Sequence, residues 1–420
     1  MLKILGLQVF DGPSVYSHKP VARLRLKMGK CLDRPSNEMP GLYERLTTDF
    51  PGLKAHHCSR DHEGGFLERL QEGTYLPHII EHLCLEVQSC LGHDVRYGKA
   101  RTTEDDDCYD IIFAYKDERL VEPVVRFVLD YIKCFLAGKT FDISGRFKQL
   151  EDIRRLERTV GQEKGNALVV AFAGDDDSPA FLTAGMLDAY GMKVGVAASR
   201  GIYINGIRKS SRNAVCKSAA RQVINIPDLD VALIETDTRH ILDEGLAYHK
   251  ASVAVLCSLI DGHLGRKHVE DIEDLIYIKS LTIEAVRPEG FCILNADEPY
   301  ITDLLDRARG NIVLYGLNKQ SAVMQEHIKT GGEAICCFND GIYCIKEGIE
   351  TRLLGYEDIA GTDLSMALLG NMMAAIAVCR ALCIPWSSIP SLALKQLRSK
   401  RQSRGQVINI PRPAYYKARW

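Results

Sequence analysis

The chain lacks several features that would assign it to an easily recognised class of protein. Its 53 basic and 55 acidic residues leave a formal net charge of only −2, which argues against nucleic acid as an obligatory partner. No apolar run approaches the roughly 18 residues of a membrane span, and the N-terminus lacks the pattern of a secretory signal. We therefore expect neither a membrane nor nucleic acid as a partner.

The 14 cysteines lack any regular spacing. There is no C-x-x-C pair, and Cys336–Cys337 is the only adjacent pair. This scatter argues against a zinc ribbon or a disulfide scaffold and indicates a reducing, cytoplasmic environment. The 420 residues, 46% of them hydrophobic, suffice for two or three globular domains.

Basic residues are missing from the whole segment between Gly165 and Met192. Within it, the apolar run Ala167–Phe172 predicts a buried parallel strand, and Phe181–Tyr190 predicts the following helix. Strand, loop and helix together have the outline of a nucleotide-binding unit. The loop between them contains Gly174, Asp175, Asp176, Asp177, Ser178 and Pro179.

A phosphate-binding loop would carry glycines, a lysine and a Ser or Thr at this place. The three carboxylates instead supply the negative charge that a helix N-terminus attracts. Ser178 is the expected N-cap and Pro179 the expected first helical residue. This arrangement stabilises the helix and repels a nucleotide, so we expect neither ATP nor Mg²⁺ to bind.

Strand and helix patterns divide the chain into two blocks. We predict a small α+β domain over 1–150, a charged linker over 151–165, a doubly wound, mostly parallel α/β domain over 166–400, and a basic tail over 401–420. In the second block the pattern predicts strands at Val194–Ala198, Val231–Glu235, Val253–Leu256, Phe291–Asn295 and Ile312–Tyr315, a hairpin at Ala334–Lys346 and a long apolar helix at Ser365–Leu382.

One motif in the first block has the spacing of a metal site. His78, Glu81 and His82 form H-x-x-E-H on a predicted helix, so both imidazoles project from one face. Zinc is the metal that this pattern indicates, with Glu86 as a third ligand and Glu81 as the base for a bound water. The alternative is the polar side of an amphipathic helix.

A second group of metal-ligating residue types precedes this motif. It consists of His56, His57, Cys58 and His62. A second metal neighbourhood is one interpretation, and solvated loop histidines are the other.

Longer motifs run through both blocks. They are R-P-S-N-E-M-P-G (34–41), G-G-F-L-E-R-L-Q-E-G-T-Y (64–75), H-I-I-E-H-L-C-L-E-V-Q (78–88), G-I-Y-I-N-G (201–206), A-L-I-E-T (232–236), D-G-H-L-G (261–265) and E-A-V-R-P-E-G-F-C-I-L-N-A-D-E-P (284–299). In these motifs the chain resembles the cyanophycin synthetase family. The first block is similar to the N-terminal domain of that family, and the second to its Mur-ligase-like central domain.

The resemblance implies an ATP-dependent ligase that builds a polymer with an aspartate backbone and arginine side chains. It also implies that an ATP-grasp domain between the blocks and the C-terminal Mur lobe are absent here. Glu235 and His263 match magnesium-associated positions, Lys279 falls near a lysine that can be carbamylated, and Asn295 and Asp297 match a nucleotide-side motif. We interpret all five as retained fold residues, because phosphoryl transfer also needs the missing phosphate lysine.

Three functional hypotheses follow. The first is a ligase-inactive subunit that binds the polymer, a full-length cyanophycin synthetase, or both, within a homo- or hetero-oligomer. The second is a zinc-dependent hydrolase acting through His78, Glu81 and His82, since some members of the family trim the polymer into primers at an N-terminal metal site. An active Mur-type ligase is the third.

Overall fold

The structure is a computed structural model that describes residues 2–29, 34–58, 62–155, 167–174, 176–260, 262–265, 269–338, 340–358 and 365–403, with no account of the side chains of 399–403. Asp175, most of the predicted linker and residues 404–420 of the predicted tail lie outside these ranges. The chain divides into two units. The first takes its described residues from Met1–Glu163 and His240–His249, and the second from Lys164–Arg239 and Lys250–Trp420.

The first unit is an antiparallel sheet covered by helices. Alternation of apolar and basic residues in V-A-R-L-R-L-K places Leu24 and Leu26 in the core and Arg23 and Arg25 on the other face. The four strands are β1 (Lys3–Phe10), β2 (Val21–Lys27), β3 (Gly98–Thr102) and β4 (Cys108–Ala114), in the order β1-β2-β4-β3. The helices are α1 (Leu42–Asp49), α2 (Gly65–Glu72), α3 (Leu76–Cys90), α4 (Glu118–Leu136) and α5 (Ile143–Arg155), with 3-10 turns at Ser36–Glu38 and Pro51–Ala55.

Helix α3 is the centre of this unit. Every residue from Ile79 to Gln88 is buried, including the charged Glu81 and Glu86. The helix packs against β3, β4 and α4. The polar side of α3 is therefore buried at Glu81, His82 and Glu86.

A short segment from much later in the chain completes the first unit. The backbone N–H of Leu246 donates to the carbonyl of Pro13 at 2.8 Å. A side chain on Gly12 would place its Cβ 2.3 Å from the carbonyl oxygen of Leu246 and 2.7 Å from that of Tyr248. Only glycine lets the two backbones approach this closely.

The second unit contains an eleven-stranded sheet whose seven central strands are parallel. The strand order is β15-β14-β13-β12-β11-β10-β5-β9-β6-β7-β8, and two antiparallel strands extend each edge. The strands are β5 (Leu168–Ala173), β6 (Val194–Ala198), β7 (Gly201–Ile204), β8 (Ile207–Ser210), β9 (Val231–Thr236), β10 (Ala251–Leu256), β11 (Val286–Asn295), β12 (Asn311–Gly316), β13 (Glu333–Phe338), β14 (Gly341–Lys346) and β15 (Ile349–Gly355). This confirms the predicted doubly wound, mostly parallel α/β fold.

Helices cover the faces of this sheet. Helix α12 is largely apolar because it packs against the strands β10–β13 of the sheet and against the neighbouring helices α6 and α13. The helices of this unit are α6 (Ser178–Tyr190), α7 (Lys217–Ile224), α9 (Ile272–Glu284), α10 (Ile301–Leu305), α11 (Ala322–Lys329), α12 (Met366–Ala381) and α13 (Ile389–Ser403). Helix α8 (Thr238–Glu244) has residues 240–244 in the first unit. Among the described residues, no helix has the length and apolar character needed to cross a bilayer.

Candidate functional site

The first unit contains a cavity of about 1460 Å³ along α3. We call it the α3 cavity. The α3 residues His78, Glu81, His82 and Glu86 line it. His56 and Cys58, from the segment before α2, line it as well. The cavity therefore brings together the two groups of metal-ligating residue types that the sequence shows separately.

Three side chains converge inside this cavity. The Sγ of Cys58 and the Nε2 of His78 lie 3.2 Å apart, and the Nε2 atoms of His78 and His82 also lie 3.2 Å apart. The three ligand atoms all lie within 4.8 Å of one another. A thiol and two imidazoles are a donor set that zinc accepts, so this cluster could hold a metal ion.

Hydrogen bonds fix the far side of each imidazole. The Nδ1 of His78 lies 2.9 Å from the Thr74 hydroxyl, and the Nδ1 of His82 lies 2.8 Å from the Nδ1 of His56. The Nε2 of His56 in turn lies 3.1 Å from the Glu86 carboxylate. Partners of this kind orient metal-ligating histidines.

Burial keeps the imidazoles neutral. Desolvation, with the charge of Arg69, lowers the pKa of His78 to about 4. Desolvation lowers the pKa of His82 to about 2, with further contributions from His78 and His56. The ring of Phe66 stacks on that of His82 with centroids 3.9 Å apart and closes this side of the site with an apolar surface. Neutral imidazoles are the form that binds metal.

Glu81 lies on the same cavity wall, against β3. Burial raises its pKa to about 8, although a backbone hydrogen bond from Ala100 acts in the opposite direction. Gly98 makes room for the carboxyl group, since a Cβ there would lie 2.5 Å from Oε1. The carboxyl group therefore holds a proton near neutral pH.

The predicted site residues occupy different positions around the cluster. Glu86 is bonded to His56, so its role as a direct third ligand stays a prediction, as does the role of Glu81 as a base. Of the other group, His57 is exposed, and His62 lies 3.4 Å from the Glu68 carboxylate. Spacing along α3 could not predict that Thr74 contacts His78 and that Phe66 stacks on His82, because both residues lie outside that helix.

The second unit places the acidic loop at the carboxyl edge of the parallel sheet. The N-cap of α6 is Asp177, so the expected cap at Ser178 is wrong. Asp176 accepts a hydrogen bond from the Ser178 N–H at 2.9 Å and another from the Asn371 amide at 2.9 Å. One N–H that would bind a phosphate therefore already has an intramolecular partner.

Asp177 is neutralised by a residue outside the lysine-free segment. Arg200 donates to both of its carboxylate oxygens, and Ser199 donates through its hydroxyl at 2.8 Å. Burial alone would raise the pKa of Asp177, but these hydrogen bonds outweigh it and hold the pKa below its ordinary value. The Arg200 guanidinium also lies 4.1 Å from the centre of the Phe181 ring. Asp177 therefore joins the start of α6 to the loop after β6.

Two of the residues matched to ligase positions are buried. Glu235 accepts a hydrogen bond from the Ser199 N–H at 2.7 Å, and burial raises its pKa to about 7. Lys279 is only 1% exposed and donates to the Ser258 carbonyl at 3.0 Å, so it is not a surface lysine.

The other three residues matched to ligase positions are Asn295, Asp297 and His263, and all of them lie in or next to turns. Asn295 donates to the Cys257 carbonyl at 3.2 Å and accepts from the Asp297 N–H. Asp297 also accepts from the Leu317 N–H at 2.6 Å. His263 is half-buried in a turn.

The second of the two units has a Mur-ligase-like α/β fold. Residues 23–137 match the family described as the cyanophycin synthase-like N-terminal domain, and residues 181–379 match the Mur ligase middle domain. The chain therefore contains a cyanophycin synthase-like N-terminal domain followed by a Mur ligase middle domain.

Curated relatives match a limited part of the chain. The cyanophycin synthetase of Geminocystis herdmanii is 36% identical over 157 residues, which are 37% of this chain and 18% of that protein. The cyanophycin synthetase of Trichormus variabilis is 39% identical over 120 residues, or 28% of this chain and 13% of that protein. The matched part thus spans less than a fifth of the length of these relatives.

Solved structures with a similar fold are more distant in sequence. A UDP-N-acetylmuramoyl-L-alanyl-D-glutamate–2,6-diaminopimelate ligase is 12% identical, with 60% of this chain and 49% of that chain covered and a TM-score of 0.43. A pseudomurein peptide ligase type C from Methanothermus fervidus is 15% identical, with coverages of 55% and 50% and a TM-score of 0.38.

Proposed function

We propose that this protein is a ligase-inactive relative of cyanophycin synthetase that supports the synthesis of an aspartate–arginine polymer. In this role it binds the polymer, a full-length synthetase, or both. The domains that it contains are those of a synthetase, whereas its Mur-like loop lacks the groups that bind phosphate. Synthetase domains that lack a working ligase site can still act by binding the polymer or another protein.

The internal bonding of the acidic loop carries this proposal. Asp176 occupies the Ser178 N–H, and Asp177 is held by Arg200. The segment between Gly165 and Met192 supplies no lysine or arginine to bind a phosphate. A triphosphate would meet the carboxylates of Asp176 and Asp177, and the Arg200 guanidinium beside them is already engaged by Asp177. Phosphoryl transfer depends on cations that are available to the phosphates.

Calorimetric titration of the full chain with Mg-ATP tests the loss of nucleotide binding. We expect no measurable heat of binding, and a micromolar dissociation constant would contradict the proposal. A full-length cyanophycin synthetase titrated in parallel is the positive control.

Co-expression with that synthetase tests the partner role. The two proteins should elute together in size-exclusion chromatography, and the yield or primer dependence of polymer synthesis should change. Separate elution of the two proteins, with unchanged polymer synthesis, would contradict the partner role.

A specific observation favours a second candidate, a metal-dependent hydrolase acting on the same polymer. Cys58, His78 and His82 present a zinc donor set on the wall of a cavity large enough for a peptide segment. A zinc ion, when bound, acts as a Lewis acid and lowers the pKa of a coordinated water. Glu81 is the residue on this wall suited to proton transfer: its ionised form, which predominates above its raised pKa of about 8, takes a proton from water, and the resulting acid returns it to the leaving amine.

Polymer cleavage by the full chain tests this candidate. Glu81→Gln should abolish cleavage and leave the metal content unchanged, because only the proton-transferring group is removed. Glu63→Gln alters another carboxylate on the cavity wall and should leave cleavage intact. Full cleavage by Glu81→Gln would contradict the role of Glu81, and no cleavage by the native chain would contradict the hydrolase.

A further inference from the structure

The first unit contains a second cavity, of about 590 Å³, that neither candidate function uses. It lies between the start of α1 and the end of α4, and we call it the α1–α4 cavity. The described residues that line it include none that line the α3 cavity. The two cavities are therefore separate.

The charged side chains around the α1–α4 cavity are all positive. Arg34 and Arg45 come from the segment around the start of α1, Lys139 follows the end of α4, and none of the described lining residues is acidic. Arg34 and Lys139 are exposed and form no ion pair with another described residue. Cations gathered around a concave surface create a positive potential that concentrates anions there.

Arg45 is held by a single carboxylate. Asp49, one helical turn further along α1, accepts from Nε of Arg45 and, through the same oxygen, from the Tyr131 hydroxyl at 2.9 Å. The hydrogen bond with Asp49 raises the pKa of Arg45 above its ordinary value. A guanidinium carries five N–H donors, so Asp49 fixes this group and leaves donors for a ligand. Three cations against one carboxylate leave an excess of positive charge at the cavity.

The end of α4 brings Lys139 to the cavity. Gly138 has a φ of +63°, a conformation that glycine adopts without the strain that a side chain would cause. The Lys139 N–H donates to the Cys134 carbonyl at 2.8 Å, as is usual where a helix ends at a glycine. The local sequence A-G-K-T-F thus places a cation and an aromatic ring, Lys139 and Phe141, on the lining of one cavity.

Aromatic and aliphatic side chains form much of the remaining surface. Tyr131, Phe135 and Phe141 line the cavity, and Leu136 beside them is 44% exposed. The ring of Phe141 packs edge to face on that of Tyr131, with centroids 5.5 Å apart, and on that of Phe127 at 5.1 Å. Such a surface binds the apolar body of a ligand, while the cations bind its charged group.

We propose that the α1–α4 cavity binds a small organic anion with an aromatic or aliphatic body, whose phosphate or carboxylate group is held by Arg34, Arg45 and Lys139. Guanidinium groups bind both kinds of oxyanion through paired hydrogen bonds. An aspartate–arginine polymer carries a guanidinium beside each carboxylate and is a poorer match for three cations. The ligand of this cavity is therefore distinct from the polymer of the proposed function.

Calorimetric titration of the full chain with small probes tests the proposal. Phenyl phosphate and phthalate join a ring to a phosphate or to carboxylates, inorganic phosphate lacks the ring, and benzyl alcohol lacks the charge. We expect dissociation constants on the order of 1 mM for phenyl phosphate and phthalate, because these molecules have few atoms. Inorganic phosphate should bind roughly 10-fold more weakly, since it buries no apolar surface, and benzyl alcohol should give no heat.

The probes also distinguish the two oxyanions. Binding of phenyl phosphate alone would support a phosphate ligand, and binding of phthalate alone would support a carboxylate ligand. Binding of neither would overturn the proposal. Inorganic phosphate that binds as tightly as phenyl phosphate would overturn the role of the apolar surface.

Arg34→Gln and Lys139→Gln locate the binding. Both side chains are exposed, so the variants should fold normally, and circular dichroism would verify this. Each should weaken the binding of phenyl phosphate or phthalate roughly 2–5-fold, the range of an exposed charge pair, and the two together roughly 10-fold. Lys148→Gln, at an exposed lysine of α5 that does not line the cavity, removes the same charge and should leave binding unchanged. Equal weakening by Lys148→Gln would show only an effect of net charge and would overturn the site.

Two further titrations separate this site from the proposed function. The dipeptide β-aspartyl-arginine, the unit of the polymer, should bind more weakly than phenyl phosphate, and equal or tighter binding that Lys139→Gln weakens would overturn the assigned ligand class. Mg-ATP also joins an aromatic body to an anionic group, so its titration is repeated with the Arg34→Gln/Lys139→Gln chain. Heat of ATP binding that this variant loses supports the α1–α4 site and leaves the ligase-inactive proposal standing. Heat that persists in the variant arises elsewhere and contradicts the ligase-inactive proposal instead.

Discussion

Replacing Glu235 by glutamine should change how the stability of the second unit depends on pH. Its carboxyl group is 7% exposed and accepts a hydrogen bond from the Ser199 N–H. Desolvation raises its pKa from 4.5 to about 7, against that hydrogen bond, and the nearby charge of Asp177 adds to the rise. Glutamine keeps an acceptor oxygen for Ser199 and cannot ionise.

The size of the effect follows from the two pKa values. Below pH 4.5 the carboxyl group is protonated in both the folded and the unfolded chain, and the native protein and Glu235→Gln should have similar stability. Between pH 4.5 and about 7 the unfolded chain ionises while the folded chain keeps its proton, so the native protein loses stability as the pH rises. Each unit of pKa difference corresponds to about 1.4 kcal/mol, which gives a total loss of about 3 kcal/mol.

Urea unfolding followed by circular dichroism measures this difference. At pH 8 the Glu235→Gln variant should be more stable than the native chain by about 3 kcal/mol, and at pH 4.5 the gain should vanish. Glu289→Gln, an exposed carboxyl group in the same unit, should leave the curves unchanged. Parallel stability curves for the native chain and Glu235→Gln would refute the reasoning.

Two further substitutions test the contacts of the two sites. Gly52→Ala forces a Cβ against Oε1 of Glu86, so it should destabilise the first unit by roughly 1–3 kcal/mol in urea unfolding. Gly6→Ala, where a Cβ meets nothing within 4 Å, is its control, and equal effects of the two would contradict the contact. Arg200→Met leaves the buried Asp177 carboxylate without its cation and should cost about 1–3 kcal/mol. Adding Asp177→Asn should recover part of that loss, and no recovery would show that Arg200 acts through another contact.

Hydrophobic patterning was sufficient to predict most of the fold. The helix predicted to carry the H-x-x-E-H motif corresponds to α3, Leu76–Cys90, and the hairpin predicted at Ala334–Lys346 corresponds to β13 and β14. These elements follow local rules of period and length. The strand order of the eleven-stranded sheet needed the contacts between strands, which no local pattern contains.

The sequence was less informative about the environment of charged residues. A polar stripe on α3 looks the same whether solvent or a cavity lies beside it, so the burial of Glu81 and Glu86 could not be foreseen. In the same way, the lysine-free segment suggested an uncompensated acidic loop, because Arg200 lies after the helix that follows it. Long-range packing decides both features.

The segment 240–249 has a consequence for how the protein is made. Its backbone lies against Gly12 and Pro13, so the first unit lacks this piece until the ribosome has passed residue 249. Domains generally fold as units in the order of their synthesis. Here the first unit waits for a segment of its own that lies within the sequence of the second unit. An expression fragment that ends near residue 155 would leave the polar backbone around Pro13 unpaired.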